Sequence, residues 1–266
     1  MANENESGGH WYTRDGTPAY TTNGRDTTLR DARKLQLVPS VTTFLNVLAK
    51  PALTAWLVNQ GIMAALTMPR VDGESERTYI ARILSDSKAQ SLAAAQEGSR
   101  IHDAIECSFK GRVYPDKYIK HVVAAREAIA KQYPQVDDWV SEASFAHPLG
   151  FGGKCDLHSP STGIIVDYKT KDGDFSDGKK LAYDQHYQLA AYQVGLGLRN
   201  IMHNEPSLPS LTRAAPGSAL FVSRTHPGAV SLHEWPSDEM EQGWGIAVIC
   251  LQLWKLTKGF DPGWTS

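Results

Sequence analysis

The hydrophobic period of this chain changes once, near Pro134, and that change limits what it can build. Between Ser40 and Gln132 the apolar residues recur every three or four positions, as on amphipathic helices. Ser40 is placed to cap a helix that carries Val41, Phe44, Leu45 and Leu48 and stops before Pro51. Further helices are expected over about 52–68, 75–110 and 117–132, the long second one closed by Gly111 with a break near Gly98. After Pro134 come residues 139–147, 151–159 and 163–170, short segments of alternating, β-branched or aromatic residues. The turns between them, Pro-Leu-Gly and Ser-Pro-Ser-Thr-Gly, fit antiparallel hairpins. A helix over 180–198, a loop over 200–217, a hairpin of 219–223 and 230–235 and a closing helix over 238–256 complete the order. Residues 1–37, with a turn signal at Asp15-Gly16-Thr17-Pro18, read as a loop or short hairpin appendage. The expected organisation is this appendage, a helical region over 38–134, and a sheet-bearing core over 135–266 that forms one structural unit with it, in an α+β or mixed α/β fold.

Composition narrows the class further. The chain has 27 Lys+Arg against 29 Asp+Glu, a net charge of −2, and 41% of its 266 residues are hydrophobic. That balance excludes disorder, coiled coil and collagen. It also excludes wholesale electrostatic adhesion to nucleic acid, so any such site must be a local basic patch in a cleft. No apolar stretch approaches the roughly 18 residues a spanning helix needs. The opening MANENESGGH lacks the basic and apolar regions of a secretory signal, and a cytoplasmic protein with no membrane partner is expected. The three cysteines, Cys107, Cys155 and Cys250, match no disulfide, zinc or iron–sulfur spacing and read as buried thiols.

The chemistry concentrates in Gly153-Lys154-Cys155-Asp156 and, one hairpin later, Ile164-Ile165-Val166-Asp167-Tyr168-Lys169-Thr170, an apolar strand that ends in charge. Strand alternation points Asp167 and Lys169 to one face and Tyr168 to the other. Hairpin pairing brings Asp156 alongside. Two carboxylates suit a hard divalent cation such as Mg²⁺ or Mn²⁺, and an adjacent ammonium suits charge that develops on phosphorus. Alone, D-x-K is as readily a surface ion pair at a strand end; the second carboxylate is what makes it a site. Upstream, His102 and Glu106 lie one helical turn apart beside Ile101 and Ile105, so that both can face a metal. Gln188 and Tyr192 share that spacing just after the strands.

Together these pieces resemble the RecB-like nucleases of the PD-(D/E)XK superfamily. The resemblance rests on a G-S-x-x-H-x-x-x-E helix at 98–106, a G-x-x-D strand ending at Asp156, D-Y-K-T at 167–170 and a Q-x-x-x-Y helix at 188–192, all in the family's order. Pro39-Ser40-Val41-Thr42-Thr43 resembles the start of the helical region in phage-type and mitochondrial genome-maintenance exonucleases. What this implies is a restriction-endonuclease-like core with a central mixed sheet flanked by helices, plus a helical N-terminal region. It implies Asp156, Asp167 and Lys169 as catalytic residues, with Mg²⁺ or Mn²⁺ held by His102, Asp156, Asp167 and the backbone carbonyl of Tyr168. Glu106, Glu142, Gln188 and Tyr192 become supporting residues, and Gln188 and Tyr192 also match DNA contacts of the family. Arg100, Lys171, Lys179 and Lys180 are the candidate phosphate contacts, and Tyr168, Phe175 and Tyr187 the candidate stacking rings.

The implied activity is metal-dependent hydrolysis of phosphodiester bonds, most simply as an exonuclease on linear single-stranded or end-bearing DNA. Its setting would be recombination or repair in a bacterial or phage-infected cell, with a recombinase, single-strand annealing protein or helicase as candidate partner. The four cysteines of iron–sulfur members are missing, so no cluster is expected, and no G-x-x-x-x-G-K-[ST] loop supplies a motor. The alternative is a catalytically inactive DNA-binding or interaction protein of the same fold, against which the intact Asp156, Asp167 and Lys169 count. A phosphoesterase of mononucleotides is a third reading.

Overall fold

A computed structural model describes residues 9–178, 180–198 and 214–265. The chain opens with β1 (Trp11–Tyr12), the hairpin of β2 (Thr21–Thr22) and β3 (Arg25–Asp26), and α1 (Leu29–Leu35). It continues through β4 (Val38–Pro39), α2 (Val41–Leu45), α3 (Pro51–Thr67) and α4 (Glu76–Phe109). A 3₁₀ turn at Asp116–Tyr118 leads into α5 (Ile119–Gln132). The second half is β5 (Val140–His147), β6 (Phe151–His158), β7 (Ile165–Lys171), α6 (Gln185–Gly195), β8 (Gly217–Ser223), β9 (Val230–Trp235) and α7 (Ser237–Lys258).

The central sheet has five strands in the order β5-β6-β7-β8-β9. It is mixed: β7 and β8 run parallel and every other pair is antiparallel. The parallel pair requires a crossover, which α6 provides. Alternation along the strands feeds two cores. Ile165, Ala219 and Phe221 meet Leu189 and Ala190 of α6 and Met240 and Trp244 of α7 on one face. Val166, Tyr168, Leu220 and Val222 meet Ile101 and Ile105 of α4 and Val122 and Ile129 of α5 on the other. With both faces covered, β8 is buried throughout.

The expected strands and most of the expected helices are present, including Ser40 as N-cap of α2, its side chain accepting from the Thr43 N–H. Several details differ from the sequence-based reading. First, α4 runs unbroken through Gly98. That glycine marks a close approach instead: a Cβ there would stand 2.5 Å from Thr170 Oγ1, so its absence lets α4 lie against β7 beside the D-Y-K-T segment. Second, α6 starts at Gln185 rather than 180, because the Gln185 side chain accepts the Tyr183 N–H at 2.8 Å and so competes with helical pairing. Third, residues 29–35 form a helix that turn content alone had hidden. Thr28 and Asp31 build a capping box, and Arg25 grips the same Asp31 at 2.8 and 3.0 Å.

The first segment is tied into the core. Trp11, Tyr12, Ala32 and Leu37 are buried, and Trp11 packs edge-on against Trp254 of α7 at 6.1 Å. By contrast, α3 contains no charged residue and leaves Trp56, Val58, Ile62 and Leu66 exposed, with Ala64 buried. Most of the expected 200–217 loop lies outside the described residues. No helix among those described is long and apolar enough to cross a membrane.

The Gly98–Thr170 contact is directly testable. Gly98→Ala should lose about 1–3 kcal/mol of stability in urea unfolding, the usual range for overpacking, and Gly98→Ala with Thr170→Ala should recover most of it. An additive double variant would show that the helix–strand approach is not tight.

Candidate active site

The site forms where β6 and β7 part. The strands pair through His158↔Ile165 and Leu157↔Val166. At the next position, where Asp156 and Asp167 follow, the main-chain ladder is replaced by a side-chain bond: Asp156 Oδ2 accepts the Tyr168 N–H at 2.7 Å. On the other flank, Glu142 stands between the pairs Ser141↔Leu157 and Ala143↔Cys155 with φ at +60°, a left-handed conformation rare for a residue with a side chain. Its carboxylate pairs with Lys154.

Asp167 is 4% exposed. Its Oδ1 accepts from Gln188 Nε2 at 3.1 Å. Its Oδ2 lies 2.5 Å from Lys169 Nζ and has no partner in hydrogen-bond geometry. Gln188 braces the whole group. Lys169 Nζ donates to its Oε1 at 3.3 Å, and its Nε2 also donates to the Tyr192 hydroxyl at 2.7 Å. Tyr192 in turn rests on Gly153, where a Cβ would meet its ring at 2.9 Å. From α4, His102 sets Nδ1 3.9 Å from Asp156 Oδ2, beyond hydrogen-bond range, with its ring edge-on to Tyr168 at 5.7 Å.

The electrostatics follow from this burial. Removal from water, and then the neighbouring Asp167, push the Asp156 carboxyl up to about 8. Burial holds His102 down at about 4, so its imidazole is neutral at physiological pH. Burial works against the Lys169 charge, but Asp167 and Asp156 outweigh it and the pKa is raised. With Asp156 ionised the group would hold more negative charge than one ammonium neutralises, and without a cation a proton on Asp156 makes up the difference near neutral pH. A hard cation suits that need: the Asp167 Oδ2, which accepts no hydrogen bond, the carboxylate of Asp156 and a neutral imidazole are oxygen and nitrogen donors of the kind Mg²⁺ and Mn²⁺ accept. Among the described residues no three His, Cys, Asp or Glu side chains close into a cage. The donors form an open arc, which suits ions that keep several waters or phosphate oxygens in their shell.

The remaining expected residues divide. Glu106 pairs with Lys110 at 2.5 Å, so it turns along its own helix and not toward His102. Arg100 is exposed and pairs with Glu97 at 3.2 Å. Lys171 donates to the Leu181 carbonyl at 3.0 Å and lies over the Phe221 ring at 5.0 Å, tied down rather than offered to a phosphate. Lys180 is exposed beside Tyr183, and Lys179 lies outside the described residues. Tyr192 and Tyr168 are buried at 5% and 2%, which leaves the first to support Gln188 and removes the second as a stacking ring. Phe175 and Tyr187 are half-buried, Phe175 against the core and Tyr187 against His186. Of the thiols, Cys155 and Cys250 are buried as expected, whereas Cys107 is half-buried. Sequence reasoning missed Lys154 as a neighbour of the site. It also missed the reason for Gly152 and Gly153, a strand pair of glycines that signals close approach by other groups.

No family model matches the sequence, and no curated protein matches it. Among solved structures, a phage related exonuclease from Haemophilus somnus 129PT is 14% identical, over 61% of this chain and 82% of its own, with a TM-score of 0.29. An alkaline exonuclease from Laribacter hongkongensis is 12% identical, over 77% of this chain and 96% of its own, with a TM-score of 0.30. Both are exonucleases by name. Overlays this loose carry no argument by themselves, and the functional reading rests on the site residues.

Asp156→Asn tests the electrostatics. The amide keeps an acceptor for the Tyr168 N–H and removes the buried charge. A carboxyl that titrates near 8 when folded and near 3.8 when unfolded keeps a proton that the unfolded chain has lost. The parent therefore loses stability as pH rises from about 4 to about 8, and the variant lacks that slope. Denaturant unfolding in EDTA at pH 5 and pH 8 should show the difference widening in favour of Asp156→Asn at the higher pH. A difference that does not change with pH contradicts the buried-charge account.

Proposed function

We propose that this protein is a metal-dependent DNA nuclease, acting as an exonuclease on linear DNA ends. The observation that carries the reading is the convergence of Asp156, Asp167, Lys169, Gln188 and His102 at the parting of β6 and β7. A surface ion pair does not need a half-buried second carboxylate, a neutral histidine and a glutamine brace. Residues of all four motifs that resemble RecB-like nucleases stand together at this one place.

Asp156 and Asp167, with His102 and the Tyr168 carbonyl, would hold one or two Mg²⁺ or Mn²⁺ ions. Such an ion, when bound, polarises the scissile phosphate and lowers the pKa of an attacking water. The chain's own residues do the rest. Lys169, kept protonated by Asp167, stabilises negative charge that develops on the phosphate and orients the nucleophile. Gln188 fixes both Asp167 and Lys169, so neither has to reorganise when substrate arrives. Tyr168, anchored in the α4–α5 core, holds the strand between the two charged residues in register. A recombinase, annealing protein or helicase as partner belongs to the same proposal.

The test is degradation of end-labelled single- and double-stranded linear DNA, beside a closed circle, with Mg²⁺, Mn²⁺ or EDTA. Metal-dependent loss from linear substrates alone, reduced about 100-fold or more in Lys169→Ala, is the expected result. DNA retained in a gel shift but uncut with either metal would replace this reading with that of a binding protein.

A further inference from the structure

The function proposed above makes no use of the first forty residues, yet the fold carries them to the rim of the site. The main chain of His10 is held by the Ser40 N–H at 2.8 Å, and Ser40 bridges to Gly152 at the start of β6. Tyr12 lies on that same glycine: a Cβ at Gly152 would meet Tyr12 Cβ at 2.9 Å. From Gly152, strand alternation leads along one side of β6 to Lys154 and then Asp156. At about 3.3 Å per residue, Lys154 stands about 7 Å from each. Lys154 is exposed, whereas Gly153 and Cys155 beside it are buried.

Tyr12 holds a second aromatic residue in place. Its hydroxyl is 2.6 Å from the Tyr20 hydroxyl, and the two rings meet edge-on at 5.6 Å. Tyr20 is stacked in turn on His10, with centroids 4.6 Å apart and planes 27° from parallel. His10 is exposed and Tyr20 half-buried, so the stack forms a shelf at the surface with the imidazole as its outer ring and the phenol as its support. Packing does not account for an exposed imidazole on a fixed phenol. Next to the shelf, Lys154 is paired with Glu142, and its side chain is 40% exposed. An ion pair that open is held weakly enough to be exchanged for a phosphate. The other nearby acid, Glu106, is already paired with Lys110.

We propose that this shelf is a nucleotide-binding subsite. A nucleobase of the substrate strand stacks on the His10–Tyr20 pair, and Lys154 leaves Glu142 to meet the phosphate between that base and the scissile bond at Asp156. Stacking on an aromatic ring is indifferent to base identity, which suits a nuclease that must pass any sequence. The ammonium adds a point charge without demanding a fixed geometry. The inference rests on the nuclease reading and adds to it where the strand enters.

The experiment is fluorescence anisotropy of the full chain with a short labelled oligothymidylate, with Ca²⁺ in place of Mg²⁺. His10→Ala and Tyr20→Leu should each weaken binding about 5-fold or more. Tyr20→Phe, which keeps the ring and loses the hydroxyl bond to Tyr12, should bind like the parent. Lys154→Ala should weaken binding and flatten its salt dependence. A probe with an abasic position should bind the parent less well, and that penalty should vanish in His10→Ala. If Tyr20→Phe is as damaging as Tyr20→Leu, or if His10→Ala binds and discriminates like the parent while Lys169-dependent cleavage persists, the subsite is overturned and the nuclease reading stands. If the parent neither binds nor cuts DNA, both fall.

Discussion

Two carboxylates held out of water beside one another are the constraint on which this structure turns. Such a pair is costly unless something opposite in charge is close. The chain supplies part of what is needed: a main-chain N–H for Asp156, an ammonium for Asp167, and an amide that ties the ammonium and the second carboxylate together. The compensation is incomplete, as the raised pKa of Asp156 shows. Neighbouring residues make sense as accommodations to that pair. Gly153 gives Tyr192 room to steady Gln188, and Gly98 lets α4 bring His102 within reach.

One strand does most of the positioning. Along β7 the alternation sends Ile165, Asp167 and Lys169 toward α6 while Val166 and Tyr168 go toward α4 and α5. Each functional residue is thus flanked by a buried one on the opposite face, and the chemistry is clamped by both cores. A strand buried on a single face would leave the same motif free to slip.

Much of this was legible in the sequence, for physical reasons that can be named. The three central strands and their hairpins follow from alternation and turn residues, and the convergence of Asp156 on Asp167 follows from pairing. What escaped was decided by competition between partners. Helical spacing put Glu106 beside His102, but Lys110 is just as near on the other side and takes the carboxylate. Lys171 follows Lys169 by two positions, yet a carbonyl and an aromatic face hold it. The roles of Gly98, Gly152 and Gly153 depend on Thr170, Tyr12 and Tyr192, which lie 72, 140 and 39 positions away, and no local pattern encodes them. The helix α1 was concealed because a capping box and a turn draw on the same residue types.

The unbroken run of α4 has a mechanical consequence. At 1.5 Å per residue, the helix extends about 33 Å from Gly98 back to Glu76 but only about 6 Å forward to His102. The point where it lies too near the sheet to admit a Cβ, at Thr170, sits between these arms and acts as a fulcrum. A tilt that carries the outer end through 5 Å displaces the imidazole by about 1 Å. The long outer arm of α4 is therefore geared down: whatever pushes on its far end reaches His102 reduced about fivefold, and large motions outside become fine adjustments within.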